Sequence, residues 1–131
     1  MINQEYPYSE LTEKMISCFF KVHNTLGPGF LENIYRNALV IELKKQGFRC
    51  EVEKEIRIDY EGEDVGIHRL DILVEDKIII ETKTVDEFHP KHIAQVKSYL
   101  VATKYPVGLL VNFANERVEW KRIQPTMCKK A

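Results

Sequence analysis

The sequence predicts an α/β fold in which helices pack on a mixed β-sheet. Apolar residues recur at three- and four-residue spacing near the N-terminus, alternate with charged residues after position 50, and then fill short segments almost completely. These three patterns are typical of amphipathic helices, a half-exposed strand and buried strands. The 131 residues are about one domain's worth and contain no internal repeat or linker, so we expect a single domain over residues 1–131.

Two helices are predicted before the first strand. Ser9 is the expected N-cap of the first helix, and Gly27-Pro28-Gly29 ends it. Gly47 closes the second helix, where a glycine suits the left-handed conformation. The positions expected to be buried are Leu11, Met15, Cys18, Phe19, Val22 and Leu26 in the first helix, and Leu31, Ile34, Tyr35, Ala38 and Leu39 in the second.

Five strands and a third helix follow. The predicted strands are 50–60, 65–74, 78–85, 107–113 and 117–123, and a loop through 86–90 leads to the helix, which has Ile93, Val96 and Leu100 on its apolar face. Segment 65–74 is more uniformly apolar than segment 50–60, so we expect it nearer the centre of the sheet. The predicted order is α-α-β-β-β-α-β-β.

Charge alone does not indicate a protein that coats nucleic acid. The formal net charge is −1, although a local basic rim around a site is compatible with this value. The candidates for such a rim are His89, Lys91, His92 and Lys97 in one segment, and Lys121, Arg122, Lys129 and Lys130 in another. For most of them the alternative is an ordinary solvated surface charge.

Cysteine use and hydropathy indicate a cytoplasmic protein without a membrane span. Cys18, Cys50 and Cys128 are far apart and form no Cys-x-x-Cys pair, which argues against a disulfide framework and a structural zinc site. We interpret them as free packing cysteines in a reducing compartment. No apolar run approaches the ~20 residues that span a bilayer, and the N-terminus shows no secretory signal pattern.

Charged side chains interrupt two of the apolar strands. Glu81 and Lys83 follow Ile78–Ile80 and, being two residues apart, point to the same face of a strand. Asp71 is a lone acid within the preceding apolar strand. Charges inside such strands are costly unless they are paired or bind a metal, so these three residues are candidates for a functional site.

Whether the two acids meet depends on the register of the hairpin. A two-residue turn after Val74 places Asp71 opposite Ile80, so that Glu81 faces the other side of the sheet. A three-residue turn, 75–77, places Asp71 directly across from Glu81, with paired residue numbers that add up to 152. We predict the second register, because it brings the two Cβ atoms to about 4.5–5.5 Å and converts two costly charges into one cation site.

Two facing carboxylates beside a lysine suit metal-dependent hydrolysis of phosphodiesters. Oxygen ligands of this kind select Mg²⁺ or Mn²⁺. The cation polarises the phosphate and acidifies a water, and the lysine orients that water or neutralises the transition state. The alternative is a surface ion pair between Glu81 and Lys83 with Asp71 at a strand end, since a Glu-x-Lys triplet is common by chance.

Three further polar side chains accompany these acids. Glu32 lies on or beside the apolar stripe of the second helix, about 60° from Tyr35, so its carboxylate needs a partner. It is either a further metal-site acid or a cap for a backbone group near Gly29. Gln95 and Tyr99 share a face of the third helix, from which they reach the strand carboxylates or a substrate phosphate, unless they simply form an amphipathic helix edge.

Several segments resemble the GxxExxY proteins, a branch of the PD-(D/E)XK nuclease superfamily. They are His23-Asn-Thr-Leu-Gly-Pro-Gly, Gly29-Phe-Leu-Glu32-Asn-Ile-Tyr35, Arg69-Leu-Asp71-Ile-Leu-Val, Ile80-Glu81-Thr-Lys83, Ala94-Gln95-Val-Lys-Ser-Tyr99-Leu and Gly108-Leu-Leu-Val-Asn-Phe113. The resemblance covers nearly the whole chain and implies a restriction-endonuclease-like αβββαβ core with an additional N-terminal helix and a C-terminal strand. Leu70 stands where the superfamily name has a proline, as in many members.

For the site, the resemblance implies a catalytic motif of Asp71, Glu81 and Lys83, with Glu32 and Gln95 in support. Asp71, Glu81 and Glu32 are the expected metal ligands. The expected substrate-binding residues are Tyr99, Arg69, His92 and Lys91.

The leading hypothesis from the sequence is a Mg²⁺-dependent nuclease acting on DNA. The first alternative is a non-catalytic nucleic-acid-binding or assembly module that keeps the fold. The second is a subunit whose binding surface is completed by a second copy of the chain in a homodimer, or by a protein partner. A net charge of −1 favours this last alternative, since it leaves little basic surface for gripping a duplex.

Overall fold

The computed structural model describes residues 8–125 of the chain. Its helices are α1 (Ser9–Leu26), α2 (Glu32–Lys45) and α3 (Pro90–Thr103), and its strands are β1 (Cys50–Tyr60), β2 (Glu63–Val74), β3 (Ile78–Lys83), β4 (Val107–Asn112) and β5 (Glu119–Ile123). This order confirms the predicted succession of elements. No helix in the described part of the chain has both the length and the hydropathy for crossing a membrane.

The five strands form one mixed sheet in the spatial order β1-β2-β3-β4-β5. β3 and β4 are parallel, and the other neighbouring pairs are antiparallel. Parallel neighbours need a crossover connection, which α3 supplies between β3 and β4. β3 is the central strand, so Ile78–Ile80 is fully buried while the end of the strand carries Glu81 and Lys83.

The sheet separates two hydrophobic cores. The core under α1 and α2 includes Met15, Phe19, Tyr35, Leu39, Ile72, Val74, Ile80 and Phe113. The core under α3 consists of Ile56, Leu70, Leu73, Ile79, Val96, Leu100, Leu110 and Ile123. The free thiols of Cys18 and Cys50 pack in or against the first core, as expected, and Cys128 lies outside the described residues.

α3 approaches β4 closely at Gly108. A Cβ atom at this position would lie 2.5 Å from Val96 Cγ1, well inside van der Waals contact. The absence of a side chain at Gly108 therefore sets the distance between α3 and the sheet.

The N-terminal helix begins differently from the prediction. Ser9 is its first residue rather than its N-cap, and Tyr8 occupies the capping position with φ 62° and no side-chain capping bond. The Tyr8 carbonyl accepts a hydrogen bond of 2.9 Å from the Thr12 N–H, which starts the helix without a polar cap. The predicted end is confirmed, because α1 ends at Leu26 and Gly27 has φ 71°.

Two apolar residues that were expected in the core at α2 are exposed. Leu31 is 75% and Ile34 38% exposed, so the prediction was wrong for both. The buried residues of α2 are Tyr35, Leu39 and Leu43. Leu31 precedes the helix, and Ile34 is rotated by about 100° from Tyr35, so both lie outside this narrow stripe. Gly47, with φ 90°, follows the helix as predicted.

The first half of β2 is also more exposed than predicted. Val65 and Ile67 are 61% and 57% exposed, because β2 pairs with β3 only over Ile72–Val74. The preceding residues pair with β1 alone and form a two-stranded arm. β2 is therefore flanked on both sides only near Asp71.

Candidate active site

The hairpin between β2 and β3 has the predicted register. Its paired residues are Val74 with Ile78, Leu73 with Ile79 and Ile72 with Ile80, whose numbers add up to 152. The turn thus contains three residues, 75–77, as predicted. The next positions along the two strands are Asp71 and Glu81.

Beyond Ile80, side chains replace the backbone ladder between β2 and β3. The Asp71 N–H donates to Glu81 Oε2 at 3.0 Å. In return, the N–H and the hydroxyl of Thr82 donate to Asp71 Oδ2 at 2.8 and 3.0 Å. The two carboxylates therefore face each other between the strands, each fixed by an amide of the opposite strand. Their other oxygens, Asp71 Oδ1 and Glu81 Oε1, accept no hydrogen bond from the described residues.

A break in strand alternation directs Asp71 toward β3. Leu70 and Leu73 both lie in the core under α3, although residues three apart on a regular strand point to opposite faces. The break falls at Asp71, and its neighbour on β1, Glu53, has φ 55° and is skipped in the pairing of the two strands. Arg36 of α2 holds Glu53 through an ion pair of 2.9 Å. The Asp71 carboxylate consequently lies between two strands instead of within either core.

Glu81 is a strongly perturbed acid. Its side chain is almost fully buried, at 7% exposure. Burial first, and then the charge of Asp71, raise the pKa of Glu81 to about 8, and Glu32 adds to this rise. The Asp71 amide and the Lys83 ammonium act in the opposite direction. Lys83 is half-buried on the same face of β3. Its single positive charge does not balance the carboxylates of Asp71, Glu81 and Glu32.

Glu32 belongs to the electrostatic environment of this pair. It is the first residue of α2 and is half-buried. Burial and then the charge of Asp71 raise the pKa of Glu32, whereas Lys83, Arg36 and the Thr84 amide lower it. Glu32 is thus close enough to Asp71 and Lys83 for their charges to affect its pKa.

Tyr35, and not Glu32, holds the loop before α2. Its hydroxyl donates to the Gly27 carbonyl and accepts a hydrogen bond of 3.1 Å from the Phe30 N–H. Its ring stacks on Phe113 with 4.8 Å between the centroids. The alternative role of Glu32, a cap for a backbone group near Gly29, is therefore already filled by another side chain.

α3 contributes Tyr99 on the other side of the sheet. Tyr99 is half-buried, and burial, followed by the charges of Glu81 and Asp71, raises the pKa of its phenol to about 12. Its ring stacks on His68 of β2, with 4.0 Å between centroids and 22° between planes. Gln95, one turn earlier, is exposed, and its side chain makes no hydrogen bond within residues 8–125.

The start of α3 carries a group of basic residues. His89 and His92 form a reciprocal capping box, in which each Nδ1 accepts a backbone hydrogen bond of 3.0 Å. Burial, then Lys83, Lys91 and His89, lower the pKa of His92, which places it within the influence of Lys83. Lys91 and Lys97 are exposed. The residues proposed from the sequence as a first basic rim thus lie together at the start of α3 and along its first two turns.

The other predicted basic residues lie elsewhere. Arg69 is exposed and pairs with Glu55 of β1 at 3.0 Å. Arg122 donates to the Thr12 hydroxyl at 2.8 Å, which attaches β5 to α1. Lys121 is exposed on β5, and Lys129 and Lys130 lie outside the described residues.

Counting back by twos from Leu73 would place Arg69 on the face that α3 covers. Because of the break at Asp71, His68 lies there instead. Regular alternation along the strand, the only guide to side-chain direction in the sequence, therefore did not predict that His68 faces α3.

Asn112 is a second residue that the sequence analysis did not single out. It is fully buried at the end of β4 and bonds both backbone groups of Val85, donating to the carbonyl at 2.7 Å and accepting from the N–H at 3.0 Å. The Phe113 N–H donates to the Lys83 carbonyl at 3.0 Å. These bonds fix the chain just after Lys83. In the sequence, Asn112 could have been noticed as a polar residue within the apolar strand 107–113.

The donor set at the centre of the site fits a hard divalent cation. Among the described residues, no group of three or more His, Cys, Asp and Glu side chains is arranged to hold a metal ion. Asp71 and Glu81 nevertheless present two unpaired carboxylate oxygens. Mg²⁺ is commonly held by one or two carboxylates, with waters and substrate phosphates completing its shell. The pair fits this chemistry without Glu32 as a direct ligand.

Comparisons with known proteins identify the family and the fold. A family model described as the PD-(D/E)XK nuclease superfamily matches residues 9–123. The crystal structure of SSO0001 is similar, with a TM-score of 0.56 and 26% sequence identity. The match covers 74% of this chain and 52%, or about half, of the SSO0001 chain. An alkaline exonuclease (LHK-Exo) from Laribacter hongkongensis is similar with a TM-score of 0.55 and 13% identity over 92% of this chain and 72% of its own. No curated protein matches. The fold is restriction-endonuclease-like, as predicted.

Proposed function

The chain belongs to the PD-(D/E)XK nuclease superfamily, and on this premise we propose that it is a Mg²⁺- or Mn²⁺-dependent nuclease that hydrolyses DNA at the Asp71–Glu81 pair. We assign it to the GxxExxY branch on the motif from Gly29 to Tyr35. The observation that carries the proposal is the pair itself, in which two carboxylates face each other with one unpaired oxygen each beside Lys83.

Each residue of the pair has a defined role in this proposal. Asp71 and Glu81 would hold the cation, since Oδ1 and Oε1 are unpaired while their other oxygens are bonded to the strand amides. When bound, the cation polarises the phosphate and acidifies a water molecule. Lys83 places a positive charge where the pentacovalent phosphate gains negative charge. Glu32 completes the acidic wall on the α2 side.

The substrate strand is proposed to run between the start of α3 and the strand acids. In this proposal Lys91 and His92 bind backbone phosphates. His92 does so through Nε2, because its Nδ1 already accepts the His89 N–H in the helix cap. Tyr99 contacts the phosphate at the site, and Gln95 lies one helical turn away on the same face. Arg69 contributes only when it leaves its ion pair with Glu55.

Cleavage assays on purified protein test this proposal. Double-stranded DNA, single-stranded DNA and RNA of the same sequence are incubated with Mg²⁺ or Mn²⁺ and, in parallel, with a chelator. Glu81→Gln and Lys83→Met should each lower the rate at least about a hundredfold. Glu13→Gln and Lys14→Met replace the same residue types on the exposed face of α1 and should cleave like the wild type.

The opposite results identify the alternatives. A protein that cleaves none of these substrates at millimolar Mn²⁺ is not a nuclease by itself. DNA binding that is indifferent to metal and to Asp71→Asn would indicate the non-catalytic module. Preference for RNA over DNA would correct the substrate and leave the site assignment in place.

A further inference from the structure

The stacked pair of His68 and Tyr99 joins the two elements on either side of the site. His68 lies on β2, three residues before Asp71, and Tyr99 lies on α3. Their rings are nearly parallel, with 22° between planes and 4.0 Å between centroids. This is the closest ring contact among the described residues. It couples the strand that carries Asp71 to the helix that carries Tyr99.

No hydrogen bond orients the phenol of Tyr99. Its hydroxyl bonds to no described side chain or backbone group, whereas its backbone carbonyl accepts a hydrogen bond of 2.7 Å from the Thr103 hydroxyl. His68 Nε2 is likewise buried without a partner in the described part of the chain. The direction of the phenol therefore depends on ring packing, and the face of His68 supplies it.

We propose that His68 is a positioning residue, whose ring holds the Tyr99 hydroxyl toward the Asp71–Glu81 pair. The proposal rests on the proposed function, since it assigns His68 a place in that same site. In this proposal His68 acts through the ring of Tyr99, on which it stacks, and its Nε2 is buried away from any substrate.

The chemistry of the site favours a neutral ring in this place. Burial lowers the pKa of His68, the charge of Asp71 raises it by less, and the charge of Lys83 lowers it further. A neutral imidazole offers a flat face without adding a charge beside the carboxylates. A flat face also fixes the neighbouring ring more narrowly than an aliphatic side chain of similar volume.

Kinetics of matched variants test the proposal. Tyr99→Phe removes the hydroxyl, and His68→Ala removes the supporting ring. We expect each to lower kcat on the order of tenfold to a hundredfold with a smaller change in KM. Adding His68→Ala to Tyr99→Phe should have no further effect, because the group that His68 positions is already gone. An additive loss would overturn the proposal.

The variant His68→Phe separates the ring from its nitrogen. It keeps the flat face and removes a buried unpaired atom, so it should melt no lower than the wild type and retain most of the activity. His68→Asn keeps a polar side chain without a ring and should behave like His68→Ala. If His68→Phe were as impaired as His68→Ala, the nitrogen and not the ring would be the functional part.

A spectroscopic readout keeps the proposal testable whatever the protein cleaves. The ¹³Cζ chemical shift of labelled Tyr99 reports the surroundings of its hydroxyl. Glu81→Gln should move this shift in wild type and in His68→Phe, and leave it unmoved in His68→Ala. An equal response in all three backgrounds would refute positioning by His68, and it would do so without bearing on nuclease activity.

Discussion

Replacement of Glu81 by glutamine should make the protein more stable at alkaline pH. The pKa of Glu81 rises from the ordinary 4.5 to about 8, first through burial and then through Asp71. The stability contributed by protonated Glu81 is therefore fully present below pH 4.5 and is lost as the pH rises to about 8. At about 1.4 kcal/mol per pKa unit, full ionisation costs at most roughly 5 kcal/mol. Screening reduces this little, since Glu81 is only 7% exposed.

Urea unfolding of wild type and Glu81→Gln between about pH 5 and about pH 9 measures this effect. The two free energies of unfolding should be close at the acidic end and differ by several kcal/mol in favour of the variant at the alkaline end. Glu13→Gln, on the exposed face of α1, should follow the wild type throughout. A Glu81→Gln protein that is no more stable than wild type at about pH 9 would refute the view that burial beside Asp71 destabilises the ionised acid.

Divalent cations should reduce the difference in unfolding free energy between Glu81→Gln and the wild type at alkaline pH. A cation that binds the folded pair stabilises the wild type by RT ln(1 + [L]/Kd), an increment that grows with its concentration. The Glu81→Gln protein lacks one of the two carboxylates and should gain much less from Mn²⁺. Chelator should return the wild type to its original stability, and an equal gain in both proteins would place cation binding elsewhere.

Three further substitutions test the surroundings of the site. Gly108→Ala should cost about 1–3 kcal/mol in urea unfolding, because the added Cβ meets Val96 Cγ1 at 2.5 Å and α3 must move away from β4. Tyr35→Phe should lower the free energy of unfolding by about 1 kcal/mol or more and slow cleavage. The reason is that the loop before α2 loses the hydroxyl that binds it at Gly27 and Phe30. Unchanged cleavage kinetics would show that this loop does not contribute to the site. His92→Ala should cost about 1 kcal/mol above neutral pH and little at about pH 5. His92 Nδ1 accepts from the His89 N–H only when the ring is neutral. Burial, followed by cationic neighbours, lowers the pKa of His92, so this stabilisation is present above pH 6.5 and is lost as the pH falls. A loss of stability in thermal melts that does not depend on pH would contradict this prediction.

The sequence was sufficient for the features that depend on local pattern. The order of helices and strands follows from residue spacing, and the pairing of Asp71 with Glu81 follows from the length of one turn. Burial along α2 was predicted less well, because Ile34 lies about 100° from Tyr35, outside the buried stripe, and Leu31 is exposed since α2 begins only after it. That start is set by Tyr35 reaching back to the preceding loop, a contact that spacing alone does not contain.

The side chains around Asp71 could not be predicted from the sequence for a different reason. Simple alternation continues along a strand until a partner strand forces a break, and here the break involves Glu53, which is 18 positions away in the chain. Arg36 holds Glu53 from a third element, α2. Because the irregularity is shared among three elements, the exchange of Arg69 for His68 on the α3 face became visible only in three dimensions.

The replacement of ladder hydrogen bonds by carboxylates makes two amide protons reporters of the site. The N–H groups of Asp71 and Thr82 are shielded from solvent exchange only while the opposite carboxylate stays in place. A ligand that rotates either carboxylate exposes its amide, while the ladder amides of the adjoining pair Ile72 and Ile80 remain protected. Hydrogen exchange at these two positions would then follow each acid separately, in resting protein and without any turnover.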